Sequence, residues 1–189
     1  MTWWDGRKYV GEWKNSSRHG RGTYTHPNGT KYIGEWKNGN YHGQGTMRYS
    51  HGDRYQGEWK NGIYHGQGTM RYSYGDKYVG QFKDGEPNGK GILKTYWGAK
   101  FEGTFDTEIR RIKDGERIIW NGYGKITSNQ GIYKGAWEDL EEIDQGTMTY
   151  KDGAKYVGEF YQGSMDGKGT MTFPDGSKYV GDFYQGQRS

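Results

Sequence analysis

The sequence predicts an all-β fold, an elongated single-layer antiparallel β-meander built from tandem β-hairpins of 23 residues each. Three observations carry that expectation. A strict period runs along the chain: residues 32–54 read YIGEWKNGNYHGQGTMRYSHGDR and 55–77 read YQGEWKNGIYHGQGTMRYSYGDK, differing at only four positions. Within the period, residues alternate with the two-residue rhythm of a strand and are punctuated by glycine-bearing turns. The composition holds 35 Gly, 18 Tyr and 8 Trp, but only 30% hydrophobic residues, too few aliphatic side chains to fill a thick core. An aromatic fraction of 17% also excludes a disordered chain, since such chains are poor in rings.

The repeat frame opens at Tyr9, Tyr32, Tyr55, Tyr78, Phe101, Tyr133, Tyr156 and Tyr179. The whole chain, 1–189, then reads as one repeat domain. It comprises a partial unit 1–8, the units 9–31, 32–54, 55–77, 78–100, 101–132, 133–155 and 156–178, and a partial unit 179–189. That leaves no room for a separate catalytic domain. Each unit starts with a strand such as Tyr32-x-Gly34-x-Trp36, followed by Asn-Gly, a turn signal. A second alternating run follows, Gly43-x-Gly45-x-Met47-x-Tyr49, and His51-Gly52-Asp53 turns the chain into the next unit. About fifteen strands are expected in all. The pairing that suggests itself sets Tyr32 opposite Tyr49, Gly34 opposite Met47 and Trp36 opposite Gly45. One face then carries rows of alternating Trp and Gly, alternating Gly and Met, and continuous Tyr, with each ring lying across a glycine. The other face carries Glu35, Lys37, Thr46 and Arg48 as a polar ladder. At strand spacings of ~4.8 Å such a meander is a rod of roughly 70 Å.

Tyr-x-Gly-x-Trp/Phe, then Gly-x-Gly, a hydrophobic residue two further on and a glycine before the next unit together resemble the membrane occupation and recognition nexus (MORN) repeat family. The resemblance covers nearly the whole chain. It implies an elongated, twisted single-layer sheet with an aromatic groove, and a role as scaffold, tether or targeting module, sometimes beside a catalytic domain. It does not imply an enzyme.

Two units depart from the pattern. About ten residues are inserted before Gly122-Tyr123-Gly124; Asp114-Gly115 between β-rich runs is a hairpin signal, so the insert reads as a lengthened hairpin. Arg110, Arg111, Ile118 and Trp120 on it are candidate partner contacts. In the unit from Tyr133, Glu138-Asp139-Leu140-Glu141-Glu142-Ile143-Asp144 replaces the turn glycines. Calcium-loop spacing and its glycine are absent there, and a solvated acidic loop is expected. The net charge of +4 hides an asymmetry: residues 1–100 hold 16 Lys/Arg against 8 Asp/Glu, and residues 101–189 hold 11 against 15. Glu12, Glu35 and Glu58 are expected to neutralise Lys14, Lys37 and Lys60 beside them.

Catalytic signals are missing. His19, His42 and His65 share one repeat position, and at ~10 Å between units they cannot share a metal with bonds of ~2.0–2.1 Å. The Glu series is likewise too widely spaced for paired-carboxylate chemistry. Gly43-Gln44-Gly45 and Gly167-Lys168-Gly169-Thr170 lack the spacing of a phosphate loop. No Ser/His/Asp or Cys/His arrangement is present, and without cysteine no thiolate zinc site exists. The expectation is no enzyme, no cofactor and no metal. The amino terminus lacks a signal-peptide pattern, so a cytoplasmic protein is expected, in association with membrane or cytoskeleton.

The primary functional expectation is a scaffold or adaptor that holds a peptide or helix of a protein partner in an aromatic groove. Its lining would be Tyr32, Trp36, Met47, Tyr49, Tyr55, Trp59, Met70 and Tyr72. The alternatives are a tether to anionic phospholipid surfaces through the basic N-terminal half, and the regulatory module of a larger enzyme. Nucleic-acid stacking is disfavoured because most rings have a glycine to cover. A homodimer is expected through the edge strand 179–184, with Tyr179 and Phe183 as the contact, Phe183 lacking a glycine-bearing cross-strand neighbour.

Overall fold

The structure, a computed structural model, describes residues 1–112 and 115–189, with the side chains of 109–112 and 115–117 also left undescribed. Among the described residues there are sixteen strands and no helix. The strands are β1 (Lys8–Lys14), β2 (Ser17–Thr25), β3 (Lys31–Lys37), β4 (Asn40–Arg48), β5 (Arg54–Lys60), β6 (Ile63–Arg71), β7 (Lys77–Lys83) and β8 (Glu86–Lys94). They continue as β9 (Lys100–Ile112), β10 (Gly115–Thr127), β11 (Gly131–Glu138), β12 (Glu141–Tyr150), β13 (Lys155–Tyr161), β14 (Ser164–Thr172), β15 (Lys178–Tyr184) and β16 (Gln187–Arg188). Strand order is chain order, the mark of an antiparallel meander. The chain divides into two compact units, Met1–Asn88 and Gly89–Ser189.

Two kinds of turn alternate. At the hairpin tips Asn38 and Gly39 have φ of 51° and 81°, as do Asn61 and Gly62 at 52° and 89°. Two consecutive left-handed residues make the turn whose twist matches that of paired strands. Between units, the Tyr49 N–H bonds the Asp53 carbonyl at 2.9 Å and the Gly52 N–H bonds the Tyr49 carbonyl at 3.1 Å. That closes a three-residue loop with Gly52 at φ 108°.

The register differs from the expected one by two residues at Tyr32 and Gly34, and by four at Trp36 beyond the bulge. Tyr32 faces Met47, Gly34 faces Gly45 and Trp36 faces Tyr41. A slip of two keeps every side chain on its face, so the faces were right and the neighbours were not. The cause lies in the tip. The Asn38-Gly39 turn is so tight that Lys37 already pairs with Asn40, and Gly43 and Gln44 then bulge out of β4 before the ladder resumes at Gly34. On the ring-bearing face the rows are therefore alternating Tyr and Met (Tyr32, Met47, Tyr55, Met70, Tyr78) and an unbroken line of glycine (Gly22, Gly34, Gly45, Gly57, Gly68, Gly80).

The bulges of β2, β4 and β6 are each held by two side chains. Gly43 has φ 56°, and Glu35 closes over it, its Oε1 accepting the Gln44 N–H at 3.0 Å. Glu12 and Glu58 accept the Arg21 and Gln67 N–H groups in the same way, each at 2.8 Å. From the ring-bearing face, the Tyr32 hydroxyl donates to the Glu35 carbonyl at 2.9 Å, with the His42 carbonyl at 3.5 Å. These are the carbonyls beside the interrupted ladder. To reach them, the ring crosses the Gly34–Gly45 pair, and a Cβ on Gly45 would collide with it. The glycines are thus required by the tyrosines above them. The core of this single layer consists of such rings: Tyr9, Tyr32, Tyr55, Tyr78, Tyr133 and Tyr156 are all fully buried.

One sequence expectation changes in the second unit. The segment 138–144 is no open loop: Glu138 pairs with Glu141 across a tip formed by Asp139 and Leu140, at φ 48° and 69°. Asp144, at φ 56°, occupies the bulge position that glycine fills elsewhere. The lengthened hairpin is real, with β9 and β10 paired without a slip from Lys100–Thr127 to Ile112–Gly115.

Candidate functional site

The ring-bearing face of β2 to β7 is where aromatic side chains converge. Trp36 meets Tyr9 and Tyr32 edge-on at 5.2 and 5.3 Å, and Tyr32 meets Trp59 at 5.3 Å. Tyr41 stacks on Tyr32 at 4.1 Å and Tyr64 on Tyr55 at 3.9 Å. Edge-to-face and offset contacts of this kind add about 0.5–1.5 kcal/mol each beyond area burial. The Trp36 indole N–H donates to the Gly22 carbonyl at 3.2 Å, while the buried Trp59 and Trp137 N–H groups have no hydrogen-bond partner.

The eight residues expected to line a groove separate into two levels. Tyr32, Trp36, Met47, Tyr55, Trp59 and Met70 are at most 6% exposed; they form a floor already covered by one another. Tyr49 and Tyr72 are half-buried and stand above it. The sequence reading missed Arg18, Tyr41 and Tyr64, which complete the upper level. Arg18 lies 4.3 Å over the Trp36 ring and donates to the Gly39 carbonyl at 2.8 Å. With Tyr24, Trp36 and Tyr41 it lines a shallow depression. The Tyr49 and Tyr64 hydroxyls hydrogen-bond to one another across adjacent units. The missed signal was the two-residue tip: it places the residue that follows Asn-Gly-x, Tyr41 or Tyr64, on the face of the preceding Trp.

Burial pushes the tyrosines up, Tyr41 to about 12. Tyr32, Tyr55, Tyr64 and Tyr72 shift in the same direction for the same reason. All of these phenols are neutral donors and acceptors at physiological pH. Glu12, Glu35 and Glu58 hold backbone N–H groups rather than serving only as counterions for the lysines beside them.

On the lengthened hairpin, Trp120 is buried edge-on against Phe105 at 6.0 Å, and Ile118 is half-buried. Arg110 and Arg111 lie outside the described side chains. At the C-terminal edge, Phe183 does have a glycine opposite it, Gly167 of β14. Its ring is buried against Tyr156 and Tyr179 at 4.9 and 5.3 Å. Gln187 and Arg188 pair with Tyr184 and Phe183 on the outer side.

A family profile described as the MORN repeat matches residues 9–31, 32–54, 55–77, 78–100 and 156–178. The chain belongs to the MORN repeat family. The two irregular MORN units, 101–132 and 133–155, lie outside the matched residues. No curated protein sequence matches the chain. Among solved structures it is similar to the SAS-4 (dCPAP) TCP domain of Drosophila melanogaster, in complex with a proline-rich motif of Ana2 (dSTIL), at 16% identity and a TM-score of 0.49, covering 94% of this chain and 90% of that one.

Proposed function

We propose that this protein is a non-enzymatic MORN scaffold, cytoplasmic, whose ring-bearing face holds a segment of a protein partner. The supporting observation is the two-level arrangement of that face. A buried aromatic floor fixes the partly exposed rings of Tyr41, Tyr49, Tyr64 and Tyr72, so that they offer amphipathic contact area with little side-chain entropy left to lose. Each carries a phenol that donates or accepts, which suits peptide backbone and apolar side chains alike.

Affinity capture with mass spectrometry tests the reading through variants of the upper level, which spare the floor. Tyr41→Ala with Tyr64→Ala should release the captured partner while the far-ultraviolet spectrum is retained. Retention of the partner by a folded double variant overturns the assignment of this face. The membrane alternative rests on the positive N-terminal half. Sedimentation with anionic vesicles that survives the tyrosine changes and fails with Lys37→Glu and Lys60→Glu would install that tether instead. Self-association through the C-terminal edge is a further part of the proposal, with Tyr179 as its contact because Phe183 is buried, and light scattering over a dilution series checks it. A dimer that becomes monomeric on Tyr179→Ser supports the edge contact; a monomer at tens of micromolar removes it.

A further inference from the structure

The face opposite the rings carries a feature that the fold does not require. Lys31 pairs with Arg48, Arg48 with Arg54, Arg54 with Arg71, and Arg71 with Lys77. Five cations thus stand side by side on five consecutive strands. Directly opposed like charges destabilise a sheet. In the second unit the same row alternates instead, Thr149, Lys155, Thr172, Lys178, so a hairpin of this type folds well with every other cation replaced by threonine.

Three carboxylates near this row are engaged elsewhere. Glu35 and Glu58 hold the Gln44 and Gln67 N–H groups, and Asp53 accepts the Ser73 N–H at 2.8 Å and lies 3.1 Å from His51. The Arg54 Nε is buried without a hydrogen-bond partner, and its Nη2 reaches only the Gln56 side chain, at 3.2 Å. Arg54, Arg71 and Lys77 line an open depression whose remaining walls are Gln, Thr, Gly and Val, with no acidic residue.

We propose that this row is a docking site for an acidic α-helical segment of a partner protein, lying across the strands with a stripe of Glu or Asp toward the cations. The choice of ligand follows from spacing. Strands repeat every ~4.8 Å; a helix rises 5.4 Å per turn and sets side chains at i and i+4 about 5–6 Å apart, which flexible Lys and Arg side chains follow over the length of the row. Same-face residues of an extended peptide are ~6.8 Å apart and fall out of step. Single-stranded nucleic acid is held by stacking on aromatic rings. The residues beside the row, Ile33, Thr46, Gln56, Thr69 and Val79, provide none. The inference extends the scaffold reading to a second face and stands or falls separately from it.

The test uses the full chain and a labelled Ala-rich helical peptide of about 20 residues with Glu at i, i+4, i+7 and i+11. The comparator has the same composition, with the Glu residues distributed around the helix. Fluorescence anisotropy at low ionic strength should show binding of the striped peptide, weakened about tenfold by Arg54→Gln with Arg71→Gln. Lys37→Gln with Lys60→Gln, an equal charge change on the same face but off the row, should alter it less than about twofold, and the comparator should bind more weakly. Equal losses in the two double variants, equal binding of both peptides, or displacement of the peptide by oligothymidylate or phosphatidylserine vesicles overturns the proposal. Loss of the peptide on Tyr41→Ala with Tyr64→Ala overturns it too, placing the peptide on the ring-bearing face; persistence there, with partner capture lost, separates this inference from the proposed function.

Discussion

The β3–β4 hairpin and the β9–β10 hairpin begin from the same repeat frame and end differently. In the first, the ladder breaks at Gly43 and Gln44 and closes at Asn38-Gly39. In the second, it runs on without a slip to Ile112 and Gly115. The opening residue distinguishes them. Tyr32 carries a hydroxyl that serves the carbonyls at the break, and so do Tyr9, Tyr55 and Tyr133; Phe101 does not. The fourth residue differs too, Thr104 standing where Glu35 stands. Yet β11–β12 keeps its irregularity with Ala136 at that place, its Tyr133 hydroxyl reaching the Ala136 and Ile143 carbonyls at 2.9 and 3.0 Å. The phenol is therefore the feature common to the interrupted hairpins, and the carboxylate an addition to it.

Alkaline titration should produce the largest effect. Tyr32, Tyr55, Tyr64, Tyr72, Tyr78 and Tyr133 are all raised by burial. The unfolded chain therefore releases these protons first, near pH ~10. The tyrosine contribution to stability should be flat below that pH and then fall, by about 1.4 kcal/mol per pH unit for each tyrosine involved. Denaturant unfolding from pH 8 to 11 reads this, and a flat profile would show that the phenols are not held neutral by the fold. Next comes an exchange of opening residues. Tyr55→Phe orphans the Glu58 and His65 carbonyls and should cost about 1–3 kcal/mol. Phe101→Tyr buries a hydroxyl where no interrupted ladder awaits it and should cost a similar amount. If Phe101→Tyr proves neutral, the phenol does not distinguish the two hairpins.

Glu58→Ala should cost about 1 kcal/mol by freeing the Gln67 N–H, whereas Thr104→Ala, on an exposed residue, should stay within about 0.5 kcal/mol. The smallest change concerns Glu142. Burial raises its pKa, with a smaller contribution from Glu141, so the folded state disfavours its charge. Glu142→Gln should make the protein slightly more stable at neutral pH. The advantage should vanish as the pH falls through the folded-state value, where Glu142 itself is protonated; thermal melts at pH 7 and 4 give the comparison.

Most of this architecture is legible in the sequence because the period is fixed and alternation assigns faces without any knowledge of register. Tyr32, Trp36 and Met47 could be placed on one buried face from parity alone. Register could not be read, because it depends on whether Asn38-Gly39 closes in two residues and on a bulge two residues long, and neither disturbs the alternation. For the same reason Tyr41 and Tyr64 were missed: their neighbours become evident only when the tip is known to be tight. Glu35 looked like one rung of a charged ladder, since a sequence shows a carboxylate's charge and not the backbone N–H it will accept. The row from Lys31 to Lys77 was hidden similarly, as its members lie at the two ends of separate strand segments and meet only through pairing.

The hairpin tips have one more property. The Gly39 N–H bonds the Arg18 carbonyl at 3.0 Å, the Gly62 N–H bonds Tyr41 at 3.0 Å, and Gly163 bonds Glu142 at 3.0 Å. Each of these three tips is latched to the hairpin before it. Gene segments encoding whole 23-residue units can accordingly be duplicated or deleted, and every junction in the product is one the fold already contains. The near-identity of 32–54 and 55–77 is what such a copying event leaves behind, and length is the property of this protein most open to change.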